Sequence, residues 1–105
     1  MITLTSVSTY ETIIKRPGLA VIYFTAAWCG PCRMIAPKVD ELAALYGHVR
    51  FAKVDVDESQ QIASRANVSA MPTFHFHRDG VHVDTVTGAD VAKLKRCLAL
   101  YSNVH

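Results

Sequence analysis

Cys29 and Cys32 are separated by two residues in Trp28-Cys29-Gly30-Pro31-Cys32, a spacing that lets two thiols act in succession on a third sulfur and close on each other. The apolar run Leu19-Ala20-Val21-Ile22-Tyr23-Phe24 precedes them and reads as a buried strand, bounded upstream by Pro17-Gly18. After them, Met34, Ile35, Val39, Leu42, Leu45 and Tyr46 recur at helical spacing, so the pair lies where a strand turns into a helix. The first turn of a helix leaves backbone N–H groups unpaired and favours negative charge. A thiol there is biased towards thiolate, its reactive form. The pair therefore reads as a dithiol/disulfide redox centre, with Cys29 the nucleophile and Cys32 the resolving thiol.

The competing use of such a pair is half of a zinc site. Structural zinc takes four ligands, usually from two knuckles, and this chain has no second Cys-x-x-Cys, only Cys97. Between the thiols, Gly30 and Pro31 add no charge, whereas a histidine there would stabilise the thiolate and push the couple towards oxidation; the motif favours a reductant. Composition sets the wider limits. The 105 residues suit one domain, 1–105, with an ordinary globular balance of half hydrophobic and one-fifth charged residues. A net charge of +2, with Lys93, Lys95 and Arg96 as its densest basic group, gives no nucleic-acid footprint. The first residues do not resemble a secretory signal, and no apolar run is long enough to span a bilayer. Three cysteines, two of them in a redox spacing, are unlike a disulfide framework; the expectation is a reducing compartment, the cytoplasm.

The remaining punctuation is short turns. Met1–Thr5 alternates as a first strand. Ser8 and Glu11 form a capping box for a helix with Tyr10, Ile13 and Ile14 buried. The cysteine helix runs to about Tyr46, kinked at Pro37 and ended by Gly47. Val49–Val56 is a strand, Glu58–Ala66 a short helix, and Thr73–His77 and Val81–Val86 a hairpin about Asp79-Gly80. Gly88-Ala89-Asp90 opens a last helix buried through Val91, Leu94, Leu98 and Tyr101. Alternating strands and helices followed by a hairpin predict an α/β domain with a mixed sheet.

These landmarks together resemble the thioredoxin family over the length of the chain. Phe24–Met34 looks like its active-site signature, Pro37 its helix kink and Phe51–Asp57 its third strand. Met71-Pro72-Thr73 looks like its cis-proline loop, and Asp79-Gly80 and Gly88 like its later turns. The resemblance implies a central mixed five-stranded sheet flanked by four helices, with the cis-proline loop facing the Cys-x-x-Cys motif. It implies a protein-disulfide reductase that binds no cofactor. Its partners would be disulfide-containing target proteins and a thioredoxin reductase drawing on NADPH, or a small dithiol. A monomer is expected, with no membrane or nucleic-acid partner. The rival reading is a non-catalytic adaptor binding through Trp28 and Met71, although an adaptor needs neither thiol.

The resemblance also assigns a rim for an extended substrate: Trp28, Met71, Pro72, Thr87 and Gly88. One departure stands out. Many family members carry a buried aspartate at the position of Tyr23, paired with a strand lysine that corresponds to Lys53, and that carboxylate relays protons for the resolving thiol. Here a tyrosine, a poor base at neutral pH, takes its place. The expectation is that water or a desolvated Lys53 serves Cys32, or that Tyr23 only fills volume and donates a hydrogen bond. Thr25 stands where many relatives have a second tryptophan. Cys97 falls on the buried stripe of the last helix as an inert thiol. His75, His77, His82 and Asp84 alternate so as to share one face of the hairpin; they are read as packed or solvated, with no metal assigned.

Overall fold

The computed structural model describes residues 1–103. Its elements in chain order are β1 (Ile2–Thr3), α1 (Val7–Lys15), β2 (Leu19–Thr25), α2 (Gly30–Leu45), β3 (Arg50–Asp55), α3 (Gln60–Arg65), β4 (Thr73–Arg78), β5 (Val81–Thr87) and α4 (Val91–Tyr101). The five strands form one mixed sheet in the order β1-β3-β2-β4-β5. The first three are mutually parallel, while β4 runs antiparallel to both β2 and β5. This is the mixed-sheet α/β class that the element order implied, with the five strands and four helices that the family resemblance implied.

Strand alternation divides the core in two. Leu19, Val21 and Tyr23 of β2, with Phe74 and Phe76 of β4, face α2 and α4 through Ile35, Val39, Leu42, Leu94 and Leu98. Ala20, Ile22 and Phe24 face α1 and α3 through Tyr10, Ile13 and Ile62. Covered on both sides, β2 must be apolar at consecutive positions, which is why its sequence is an unbroken hydrophobic run. No helix among the described residues is long and apolar enough to cross a membrane.

Several boundaries differ from the sequence reading. The first strand is only Ile2–Thr3, because Leu4 turns inward to be buried at the α1–α3 face while its N–H donates to the Lys53 carbonyl at 2.8 Å. Ser6, not Ser8, caps α1, accepting from the Thr9 N–H at 3.1 Å. Glu11 is thereby released from a capping box and ties α1 to α3 through Arg65 at 2.7 Å. Pro37 does lie inside α2, but the helix ends at Tyr46, whose N–H reaches the Leu42 carbonyl at 2.9 Å, and not through a left-handed Gly47.

The hairpin turn behaves as its residues require. Asp79 and Gly80 both take positive φ (52° and 84°), the geometry that suits an Asp-Gly pair between antiparallel strands. Asp79 also receives the Gly18 N–H at 2.7 Å, locking the turn before β2 against the hairpin. Beyond it, β5 carries a bulge: His77 pairs with His82 but Phe76 with Asp84, leaving Val83 as the extra residue.

Candidate active site

Cys29 is the N-cap of α2. Its backbone is extended (φ −85°, ψ 114°) and its Sγ accepts the Cys32 N–H at 3.2 Å. A sulfur in the N-cap position takes the place of the usual oxygen acceptor and faces the positive end of the helix, the environment that favours thiolate once the pair is reduced. Pro31 sits in the first turn, where its missing N–H breaks no helical hydrogen bond. Cys29 and Cys32 are joined by a disulfide with their Cα atoms 5.2 Å apart. Cys32 is the deeper of the two, 1% exposed against 4% for Cys29. An incoming sulfur therefore meets Cys29 first.

Around the pair, Met71 and Val56 pack against Ala26, Cys29 and Cys32. Met71 precedes Pro72 through a cis peptide bond. Pro72 is buried, and its carbonyl receives the Gly88 N–H at 2.8 Å, while Thr73 and Thr87 pair across β4 and β5. Thr87 is exposed and Gly88 takes φ +87°, a left-handed conformation that suits glycine. The structure thus brings Met71, Pro72, Thr87 and Gly88 together at one edge.

Trp28, next to Cys29 in the chain, is 66% exposed. Its Nε1 donates to Asp57 Oδ2 at 2.7 Å, and the turn holding Asp57 is itself fixed by its N–H donating to Asp55 Oδ1 at 2.9 Å. Sequence reasoning did not single out Asp57. The only signal available was a pair of carboxylates closing the third strand.

Beneath Cys32, Tyr23 is buried, stacks on Phe74 at 4.9 Å, and donates its hydroxyl to the Cys32 carbonyl at 3.3 Å. Burial pushes the phenol above its ordinary value, a hydrogen bond with Thr25 opposes this, and the charge of Asp40 adds to the rise. Tyr23 is therefore a protonated donor at neutral pH, in keeping with the volume-filling reading. Lys53 pairs with it in register across β2 and β3. Both line an open cleft of about 470 Å³ that also reaches Cys32, Asp40, Asp55 and Glu58. The carboxylates lining this cleft come from α2, from the end of β3 and from the turn after it, not from β2. Their approach depends on tertiary packing and left no trace in the strand pattern.

The third thiol, Cys97, is buried on α4, as its stripe position implied. At the dithiol, among the described residues, no set of three metal-type ligands gathers.

A thioredoxin family model matches residues 1–99. The chain belongs to the thioredoxin family. It is 43% identical to thioredoxin-2 of Saccharomyces cerevisiae over 102 residues, covering 96% of each sequence. It superposes on thioredoxin of Fasciola hepatica with a TM-score of 0.92 and 44% identity, covering 96% of this chain and 99% of that one. It is also 45% identical over 89 residues to the TPR repeat-containing thioredoxin TDX of Arabidopsis thaliana, spanning 85% of this chain but only 23% of that longer protein. Family membership and the disulfide-linked Cys29–Cys32 pair at a helix N-cap agree on one chemistry, thiol–disulfide exchange.

Proposed function

We propose that this chain is a protein-disulfide reductase acting as a single thioredoxin domain, 1–105. The observation that carries the reading is Cys29 Sγ in the N-cap position, with Cys32 within bonding reach and deeper. In the reduced protein, the Cys29 thiolate attacks a target disulfide. A Cys29–target disulfide forms, and one target thiolate leaves. Cys32, losing its proton, attacks Cys29 Sγ and expels the second target thiolate. The two electrons of the dithiol have passed to the target, and the Cys29–Cys32 disulfide remains. A dithiol reductant, or a thioredoxin reductase drawing on NADPH, restores the thiols, and no cofactor resides on the chain.

The target lies along Trp28, Met71, Pro72, Thr87 and Gly88. Met71 precedes the paired part of β4, so its backbone supports the addition of an extended segment, and the apolar Trp28 and Met71 side chains flank it. The cytoplasm is the proposed compartment, and a monomer the proposed form. An adaptor role is disfavoured, since binding alone needs no second thiol held at disulfide distance.

The test is turnover of a protein disulfide with a dithiol as reductant. Cys29→Ser abolishes it, while Cys32→Ser accumulates targets as mixed disulfides on Cys29. Full turnover by Cys29→Ser rejects the mechanism.

A further inference from the structure

Three imidazoles meet on the α1 side of the β4–β5 hairpin. His75 and His77 alternate with the core residues Phe74 and Phe76 and so point the opposite way. The bulge at Val83 keeps His82 opposite His77 but turns Asp84 towards α4, where it accepts the Tyr101 hydroxyl at 3.0 Å. Asp84 thus leaves the face that the alternation had assigned to it. One ring nitrogen from each of the three histidines lies within 4.8 Å of those of the other two. The rings of His75 and His77 stand 4.4 and 4.9 Å from that of His82.

Ordinary packing does not account for this group. His77 is 6% exposed, and neither of its ring nitrogens has a hydrogen-bond partner. A buried imidazole with both nitrogens unpaired carries an uncompensated desolvation cost. Exposed His82 places Nε2 at 3.0 Å from the Asp84 carbonyl oxygen and 2.9 Å from Thr85 Oγ1. A carbonyl only accepts, so Nε2 carries the proton and Nδ1 keeps its lone pair. A ring held by a backbone carbonyl through one nitrogen is the arrangement that orients metal-ligating histidines. His75 and His77 are both buried, an environment that favours the neutral ring whose lone pair a metal needs.

We propose that His75, His77 and His82 form a binding site for a divalent transition-metal ion, Zn²⁺ foremost, with a fourth position open on the solvent side of His82. Neutral imidazoles suit Zn²⁺, Ni²⁺ and Cu²⁺ and not Mg²⁺ or Ca²⁺. Zn–N bonds set donor atoms roughly 3.3 Å apart, so donors now within 4.8 Å of one another draw in by up to about 1.5 Å when the ion binds. The site is separate from the dithiol. His77 pairs with Ala20 at the far end of β2, about 16 Å along the strand from Thr25.

The test uses the oxidised protein, so that the disulfide withholds both thiols from the metal. Calorimetric titration with ZnCl₂ gives one ion per chain, and the melting temperature rises with ZnCl₂ but not with MgCl₂. His82→Ala, an exposed substitution, weakens binding by about tenfold or more and removes the thermal shift. His77→Phe, which keeps the buried volume, does the same. Absence of saturable Zn²⁺ binding, or less than tenfold weakening in both variants, overturns the proposal.

Discussion

The indole nitrogen of Trp28 donates to Asp57 Oδ2 at 2.7 Å, so the exposed aromatic surface beside Cys29 is anchored by a carboxylate in the turn after the third strand. Anchoring a large side chain in advance lowers the ordering cost when a partner docks against it. A hydrogen bond to a charged acceptor contributes about 1.5–3 kcal/mol when well formed, and less at an exposed position. Asp57→Ala is expected to raise KM for a protein disulfide about 3- to 10-fold with kcat little changed, whereas Asp57→Asn, which keeps an acceptor, stays near wild type. Steady-state kinetics on both variants check this. A loss confined to kcat would place Asp57 in the chemical step instead.

Tyr23 yields a second expectation. Its hydroxyl is a donor to the Cys32 carbonyl, and its pKa lies above the ordinary phenol value because burial outweighs the hydrogen bond with Thr25. Tyr23→Phe keeps the stack on Phe74 and removes only that donor, so stability falls by about 0.5–1.5 kcal/mol and the pH–rate profile of turnover keeps its shape. Tyr23→Asp costs more, because it deletes a buried ring and introduces a carboxylate beside Phe74, and it changes the pH dependence of the resolving step. A displaced profile in Tyr23→Phe would show the hydroxyl taking part in proton transfer.

Acid stability follows from the histidine face. Burial, then the charge of His82, lowers His77 to about 4; at His75 burial and His82 are joined by His77 itself. The unfolded chain takes up these protons near 6.5, the folded chain only near 4, so within that window the unfolded state binds more protons. Stability is therefore full above about pH 6.5 and declines as pH falls, by up to roughly 1.4 kcal/mol per unit for each histidine. Urea denaturation across pH 4–7 in the presence of a chelator, compared with His75→Phe/His77→Phe, measures it. The double variant should show a flatter acid limb, and an identical limb would refute the assignment.

What was legible in the chain follows from which forces are local. The run Leu19–Phe24 announces β2 because a strand covered on both faces has no polar side to show. Asp79-Gly80 announces its turn because only such residues accept two positive φ values in succession. The thiols were legible for the same reason, since their spacing and their place before a helical stripe lie within one short segment. Ser6 and Ser8 could not be separated as caps, because the choice depends on where Leu4 turns into the core. The bulge at Val83 inserts one residue and reverses the face of Asp84, which strict alternation cannot register. Asp57 and Asp40 reach Trp28 and the Tyr23–Lys53 cleft only through packing between distant segments.

Cys97 closes the account of the thiols. It is 5% exposed, and its Sγ donates to Asp84 Oδ2 at 3.5 Å, the same oxygen that accepts the Tyr101 hydroxyl. Burial pushes the thiol up, and the negative charge and hydrogen bond of Asp84 push it further. Both effects disfavour thiolate, the form that attacks electrophiles. In a Cys29→Ser/Cys32→Ser background, native Cys97 should react with iodoacetamide at least about 100-fold more slowly than in urea, because labelling must wait for the α4 face to open. Asp84→Asn removes the charge while keeping an acceptor, so it should speed native labelling severalfold yet leave it well below the unfolded rate. Mass spectrometry of the time course distinguishes the cases. Native labelling as fast as in urea would show that Cys97 is accessible and not an inert part of the core.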